Sequence, residues 1–305
     1  MRERGSSLVL VAAALAGLAS IPAPAAAQEW RNFRAARQAG GAESLEVELI
    51  YGAGRLQVSP SESPFLYDAR IRYDASRFRP LRGWSREDDR GRLRIAVTST
   101  GETDRPEAIH LDEWDVDVNL EDLRRRGDEL GRVDLSLHPA IPTDLKLLVG
   151  AASADLDLGG LSLQSLEFAT GASETDISFD TPNRVRMERL SLTAGAAEFE
   201  ARALGNARFD RLEFDGAIGD VLLDLTGEWD ASATAAIKMG IGELTIRVPR
   251  EIGVRIERSS LLISLDAPGF EKTDRVYVTP NWESAEVRLD IVLQAAFGSV
   301  EVERI

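Results

Sequence analysis

The most regular feature of this sequence is the alternation of apolar and other residues along short segments that are interrupted by glycine. In one segment, Leu145, Leu147 and Val149 occupy every second position up to Gly150, and the alternation resumes at Leu156. A period of two is typical of a β-strand that buries one face. We therefore expect short strands, rather than helices, over most of the chain.

The same unit recurs at a nearly constant interval. The interrupting glycines Gly150, Gly171, Gly195, Gly216 and Gly240 are 21, 24, 21 and 24 residues apart. A fixed period indicates repeats that bury their apolar faces against one another. The prediction is an all-β fold, a β-solenoid or β-helix-like stack of short strands with glycine at tight corners, where positive φ is tolerated. A β-sandwich with regular hairpins is the alternative, because it also has short alternating strands.

A stack of this kind should have one continuous core and two protected ends. The segment YGAG at Tyr51 resembles an early copy of the unit, and Phe297-Gly298 resembles the last. We expect the residues before Gly150 and the C-terminal strand to cap the open ends. The predicted inward residues are Phe168, Ile177, Leu192, Leu212, Phe214, Leu223, Leu244 and Ile246.

The first 27 residues have the layout of a secretory signal peptide. Arg2 and Arg4 precede an apolar run over residues 8–21, and three alanines stand directly before Gln28. The run is shorter than the roughly 20 residues that cross a bilayer. We expect cleavage before Gln28, export to the periplasm or the cell exterior, and no membrane span after cleavage.

The rest of the chain divides into three sections. Residues 28–43 form an N-terminal segment, in which residues 28–38 could form one short amphipathic helix. Residues 44–145 are interpreted as an N-terminal β section that caps the solenoid, and residues 146–305 as the repeat section. Residues 119–130 are the only other helical candidate.

Composition narrows the possible chemistry. The 305 residues carry a formal net charge of −15, which argues against nucleic acid and against anionic lipid as partners. The absence of cysteine excludes disulfides, thiolate catalysis and zinc–thiolate sites. Two isolated histidines, His110 and His138, could not build a histidine-rich metal site. We predict no metal and no cofactor.

The polar residues offer no recognisable catalytic motif. Acidic residues at every second position, such as Asp155 and Asp157, could serve acid–base chemistry or bind calcium, yet this spacing is also that of the solvent face of a strand. Ser173 is not in a nucleophile-elbow pattern. No glycine-rich phosphate loop stands between a strand and a helix. We therefore predict that the protein is not an enzyme.

Tryptophans are the candidate interaction residues. Their rings can stack on sugars or anchor a protein partner, although a tryptophan also often seals a loop or a solenoid end. Two of them share a context, in the tripeptides EWD at Trp114 and at Trp229. The candidates are Trp84, Trp114, Trp229 and Trp282.

One stretch of the chain resembles a known family. From Met239 the sequence reads MGIGELTIRVPREIGVRIERSSLLISLDAPGF, and it ends with FGSVEV from Phe297. This resembles the toast-rack domain of bacterial envelope proteins and, more distantly, the C-terminal domain of LiaF-like stress-response proteins. RYDASRFRP, from Arg72, resembles that family's N-terminal section. The resemblance spans nearly all of residues 44–303; it implies a β-solenoid-like fold and an envelope role, and it supplies no catalytic residue.

These observations predict an exported cell-envelope protein that acts by display or protein–protein interaction, linked to the envelope stress response. Its partner would be an envelope protein or a surface glycan. The alternative is a polysaccharide-binding or polysaccharide-processing β-helix protein, since such folds often carry carboxylates and aromatic platforms along one face. Three or more acids that converge with a tryptophan in one cleft would favour the alternative.

Overall fold

The computed structural model describes residues 28–99, 131–259 and 263–305, and most of them lie in β-strands. One 3-10 helix (Leu204–Ala207) accompanies the strands in these ranges. The strands are β1 (Trp30–Gln38), β2 (Ser44–Pro60), β3 (Phe65–Asp74), β4 (Phe78–Glu87), β5 (Arg90–Ser99), β6 (Arg132–Leu137), β7 (Thr143–Asp157), β8 (Leu163–Ser178), β9 (Met187–Arg202), β10 (Phe209–Asp224), β11 (Ala233–Val248), β12 (Gly253–Arg258), β13 (Ile263–Asp266), β14 (Glu271–Thr273), β15 (Val276–Val278) and β16 (Arg288–Arg304).

Seven long strands form the centre of the sheet. In spatial order they are β2, β7, β8, β9, β10, β11 and β16, and every neighbouring pair among them is parallel. Parallel neighbours need a return segment outside the ladder, whereas a sandwich of hairpins would pair antiparallel. The ladder therefore confirms the predicted β-solenoid-like fold.

Each long strand changes its buried face once, near its middle. In β8 the buried side chains are Phe168 and Thr170, and then Ser173 and Thr175. In a flat strand, positions three apart point to opposite faces. Thr170 and Ser173 are both buried because β8 bends between them, and the two halves of the strand enclose one interior. The positions that bracket the change are Tyr51/Gly54, Val149/Ala152, Thr170/Ser173, Ala194/Ala197, Gly216/Gly219, Met239/Gly242 and Ala295/Gly298.

The bend divides the sheet into two layers that share a core. We call the halves before the bend the first layer and the halves after it the second layer. The ring of Phe199, in the second layer, lies 6.3 Å from that of Phe168 and 5.4 Å from that of Phe214, both in the first layer. All eight predicted inward residues belong to this core and are at most 1% exposed, which confirms the predicted register.

The predicted glycine corners need a correction. Gly171, Gly195 and Gly240 lie inside continuous strands, not between two short ones, and Gly216 pairs with Ala194, so it stands one residue out of register. None of these glycines has a positive φ. A Cβ at Gly195 would instead collide with the carbonyl oxygen of Gly171 on the neighbouring strand. Close backbone approach, rather than φ, therefore explains the glycine at positions 195 and 240.

Positive φ occurs two residues further along. Gly219, Gly242 and Gly298 have φ of +142°, +139° and +123°, and they lie opposite one another on β10, β11 and β16. A Cβ on any of them would also strike a carbonyl oxygen of the preceding strand in the ladder. The sharp part of the bend therefore lies in this second row.

The C-terminal strand is not the cap that the sequence suggests. β16 lies between β11 on one side and β12 and β13 on the other, so it is an interior member of the stack. β2 is placed similarly at the opposite end, between β7 on one side and β5 and β6 on the other. The ends are covered by β4, β3 and β1 at one side and by β15 and β14 at the other.

The helix suggested for residues 28–38 is wrong, because these residues form the edge strand β1. β1 pairs antiparallel with β3, which places Phe33 opposite Ile71 and Ala35 opposite Ala69. Pairing with β3 satisfies the hydrogen-bonding groups of the backbone and buries apolar side chains of β1. These gains override a weak local preference for helix. Arg37 also lies with its guanidinium carbon 4.2 Å from the ring centre of Trp84.

Two buried asparagines tie the return segments together. The amide of Asn183 accepts a hydrogen bond from the Leu163 N–H and donates one to the Leu163 carbonyl, both at 2.8 Å. Asn206 donates to the carbonyl of Phe179 at 2.8 Å and accepts from the N–H of Glu228 at 2.7 Å. Each side chain thereby makes hydrogen bonds to backbone groups of neighbouring segments.

Some predictions fall outside the described residues. These are the signal peptide over residues 1–27, the helix over residues 119–130, and the candidates His110 and Trp114. Within the described ranges, no helix has the length and apolar character needed to cross a bilayer. The division of the chain near residue 145 stays a prediction.

At the N-terminal end, Asp68 on β3 is nearly buried beneath two arginines. Nε of Arg34 donates to one carboxylate oxygen at 2.8 Å, and Nη2 of Arg70 donates to the other at 3.0 Å. The hydrogen bond from Arg34 is the main cause that holds the pKa of Asp68 below its ordinary value. Arg70 acts in the same direction, and burial opposes both.

We expect Gly242→Ala to lower the free energy of unfolding by at least about 1–3 kcal/mol, because the backbone there is in a glycine-favouring conformation. The collision of the new Cβ with the Gly219 carbonyl adds to this loss. Gly40→Ala is the control, since a Cβ there meets open space. Chemical denaturation measures both variants, and equal stabilities would contradict the assigned bend.

We expect Phe214→Ala to cost about 3–5 kcal/mol, because it removes a fully packed aromatic side chain that contacts Phe199 across the two layers. Denaturant unfolding measures the loss. A cost below about 1 kcal/mol would mean that the two layers do not pack through this residue.

We expect Asp68→Asn to cost about 1–2 kcal/mol at neutral pH, since hydrogen bonds to a charged group are lost and solvent screens part of the effect. A carboxyl with a lowered pKa stabilises the fold above its unfolded pKa of about 3.9, and this contribution is lost as the pH falls through the folded pKa. Urea unfolding across pH should show the two proteins converging below about pH 4. Asp215→Asn, at an exposed carboxylate, is the control; a pH-independent difference would contradict the assignment.

Candidate functional site

The outer face of the second layer carries a row of carboxylates beside the bend. Glu174, Glu198, Asp220 and Glu243 lie directly opposite one another on β8, β9, β10 and β11. Neighbouring strands in a sheet are about 4.8 Å apart, so four negative charges follow one another at this interval. These residues line a shallow groove of about 410 Å³.

A second acidic row lies two residues further along each strand. Asp155, Asp176 and Glu200 oppose one another there, and Arg202 is paired with Asp176 at 2.6 Å. Burial is the main cause that raises the pKa of Asp176, and Glu200 and Asp155 raise it further, while Arg202 opposes the shift. At Asp176 the negative charge is therefore disfavoured by burial and favoured by the neighbouring Arg202.

The acidic rows do not converge on a metal position. In residues 28–99, 131–259 and 263–305, no three acidic or histidine side chains are placed to hold an ion together. The geometry explains this, because acids spaced along a flat ladder point outward side by side and cannot close a coordination shell at roughly 2.3–2.6 Å from one cation.

An exposed apolar ridge follows the bend on the same outer surface. We define the apolar ridge as Ile218, Ile241 and Phe297, which lie opposite one another on β10, β11 and β16. Their side chains are 56%, 51% and 56% exposed. The row continues across the stack with small residues, Ala196 and Ala172, so the large side chains are concentrated at its C-terminal end.

Of the predicted tryptophans, Trp84 closes the N-terminal end of the core. Its ring centre lies 5.6 Å from that of Tyr67 and 4.2 Å from the guanidinium carbon of Arg37. A Cβ at Gly91 would strike the indole, so the strand beneath it is adapted to this ring. Trp84 is half-buried and has a clear structural role.

Trp229 and Trp282 lie in two separate connecting segments. Nε1 of Trp229 donates to the carbonyl of Leu225 at 2.9 Å, and its ring meets Phe209 edge-on. The carbonyl of Trp282 accepts from Nε of Arg288 at 2.9 Å. Neither ring lines the acidic groove, where Phe199 is the aromatic residue among the described lining residues. Their role in an interaction stays a prediction, as does that of Trp114.

The apolar ridge is the feature that the sequence interpretation missed. A local signal does exist, because the ridge residues occur in the tripeptides AIG, GIG and AFG, each with one large apolar residue between two small ones. These tripeptides coincide with the change of buried face. A strict period of two would assign such a residue to the core, and only the position of the bend shows that it points outward.

Comparison with solved structures finds matches to candidate adhesins. A candidate cell adhesion protein from Clostridium sporogenes is 16% identical to this chain, with a TM-score of 0.45. The match covers 91% of this chain and 100% of that chain. Candidate adhesins from Bacteroides fragilis and Parabacteroides merdae match with 9% and 10% identity. They cover 89% and 91% of this chain and 97% and 96% of their own chains, with TM-scores of 0.32 and 0.23.

These TM-scores are below 0.5, so the structural likenesses carry no argument about function. A search of curated proteins finds no match. A family model does match most of the chain, over residues 26–200 and 182–247, and it is described as the N-terminal domain of toast_rack (DUF2154). With its parallel bent strands and its matched sequence, this chain belongs to the Toast_rack_N family.

Proposed function

We propose that this chain is an exported cell-envelope protein that acts by contacting another envelope component, without catalysis of its own. The apolar ridge is the observation that carries this proposal. Three large apolar side chains in adjacent register, each more than half exposed, form a continuous apolar strip on an otherwise charged surface. Contiguous apolar surface of this kind is typical of contact sites.

The surroundings of the ridge support protein contact in particular. Asp220 and Glu243 stand two residues after Ile218 and Ile241, so these two members of the ridge are bordered by carboxylates. An apolar centre with a charged rim combines burial of apolar area with electrostatic selection of the partner. The favoured partner surface is therefore apolar with basic residues beside it.

The compartment is part of the proposal and rests on the sequence. The leader with its arginines, its apolar run and its three alanines supports export, and the absence of cysteine is compatible with any redox compartment. The link to the envelope stress response rests on the family resemblance. The polysaccharide alternative has less support, because the described residues that line the acidic groove combine the carboxylates with Phe199 and with no tryptophan.

We expect the protein without residues 1–27 to capture a partner from its own envelope fraction, and Ile241→Asp/Phe297→Asp to lose that capture. Both side chains are exposed, so the double variant should retain its thermal stability. Val292→Asp is the matched control, since Val292 is also an exposed apolar residue of β16 but lies outside the ridge. Mass spectrometry of the captured proteins is the readout, and equal capture by all three proteins would overturn the proposal.

A further inference from the structure

Asp74, at the end of β3, is a buried carboxylate of which only one oxygen is hydrogen-bonded. The residue is 2% exposed. Oδ1 accepts hydrogen bonds from the backbone N–H of Glu29 at 3.0 Å and from the N–H and the hydroxyl of Ser76 at 3.0 Å and 2.6 Å. Oδ2 is buried and has no hydrogen-bond partner among the described residues. Because a buried polar atom without a partner is costly, this oxygen calls for a donor beside it.

Asp74 carries a negative charge at neutral pH. The hydroxyl of Ser76 is the main cause that holds the pKa of Asp74 below its ordinary value, and burial opposes it. The N–H groups of Glu29 and Ser76 and the charge of Arg77 lower the pKa further. The guanidinium carbon of Arg77 lies 5.5 Å from the ring centre of Phe78, and Arg77 makes no hydrogen bond to Oδ2. The group that Oδ2 lacks is therefore a donor in direct contact, and a cationic donor fits best.

The predicted cleavage creates such a cation one residue away. Gln28 directly precedes Glu29, whose N–H already binds Asp74. Removal of residues 1–27 turns the backbone nitrogen of Gln28 from a peptide N–H into an α-ammonium group. Only three bonds of about 1.3–1.5 Å join this nitrogen to that of Glu29. Gln28 is exposed and lies outside β1, so its backbone can turn towards Oδ2 without breaking the ladder.

We propose that the α-ammonium group of Gln28, created by removal of the leader, binds Oδ2 of Asp74 and thereby fastens β1 to β3. The proposal rests on the export and cleavage that belong to the proposed function. An ammonium group carries three donors, and its hydrogen bonds to a carboxylate are short and strong. The uncleaved chain has an uncharged peptide N–H at this position, so the ion pair exists only in the mature protein.

Glu29 is the other carboxylate near the new N-terminus, and it is the weaker candidate. Its side chain is exposed and accepts a hydrogen bond from Nε of Arg31 at 3.0 Å. Exposed ion pairs contribute little because solvent screens them. Asp74 is buried and has an unpartnered oxygen, so it gains more from the ammonium group.

The ion pair would act on the strand that ends the sheet. Within the described ranges β1 has one sheet partner, β3, and the first pair of this ladder is Trp30 opposite Asp74. Strand ends that lack tertiary contacts open most easily. A contact directly before the first pair opposes this opening, so β1 is held more firmly after cleavage than before it. Removal of the leader would thus complete the N-terminal end of the sheet.

The test is the pKa of the N-terminal amine in protein purified from the envelope of cells that produce the full chain. Intact mass first identifies the starting residue, and the rate of amine acylation as a function of pH then gives the pKa. We expect a value at least about one unit above the ordinary 7.7–8.0, since a contacting opposite charge favours the charged form. Asp74→Asn should return the pKa to the ordinary range. Glu29→Gln is the matched control and should keep most of the shift.

Conversion of Gln28 to pyroglutamate gives a second readout. In this reaction the uncharged amine attacks the side-chain amide carbon, a C–N bond forms, and ammonia leaves. A raised pKa keeps the amine protonated, so Asp74→Asn should cyclise about tenfold faster than the wild type near pH 7, as a difference of one unit implies. Mass spectrometry follows the loss of ammonia over time.

Each result decides the proposal. A chain that starts at Gln28 with an ordinary amine pKa, or that is isolated as pyroglutamate, would overturn the ion pair and leave export standing. A raised pKa that persists in Asp74→Asn would also overturn it. If circular dichroism shows that Asp74→Asn is unfolded, the wild-type pKa with the Glu29→Gln control decides. A chain that retains residues 1–27 would overturn the ion pair together with the cleavage, while capture through the apolar ridge tests the contact function separately.

Discussion

One extra residue in the alternation of each long strand determines the architecture. Buried positions are two residues apart along each half, but three apart across the bend, as from Thr170 to Ser173. This change lets both halves of one strand face the same interior, so a single chain segment supplies both walls of the core. The contact of Phe199 with Phe168 and Phe214 across the layers depends on it. Without the change, the apolar side chains of one layer would face solvent.

Most of the fold follows from the sequence, because periodicity reports directly on burial. Leu212 and Phe214 are two residues apart, and Leu223 belongs to a similar series after the bend. This spacing correctly predicts which side chains face the core on either side of the bend. The glycine interval correctly indicated stacked units. It did not reveal where φ becomes positive, since Gly240 and Gly242 occur in the same tripeptide and only the ladder shows that the bend lies at the second. The sequence does not predict the strand at residues 28–38 or the interior position of β16, because strand pairing depends on segments that are distant in the sequence.

The surface was harder to predict than the core for a physical reason. The exposure of Ile218 and Phe297 depends on where each strand bends. The alignment of Glu174 with Glu198 and Asp220 depends on which strands are neighbours. Alternating acids in the sequence predict a solvent-exposed face. The pairing of neighbouring strands then determines how the charges are arranged on that face.

The interior position of β16 also sets the order in which the molecule can be completed. β12 and β13 precede β16 in the sequence, yet both have it as their parallel partner, as β11 does. During synthesis, one edge of each of these three strands therefore stays open until residues 288–304 have been added. A chain cut before Arg288 would leave these edges unpaired and available to other chains.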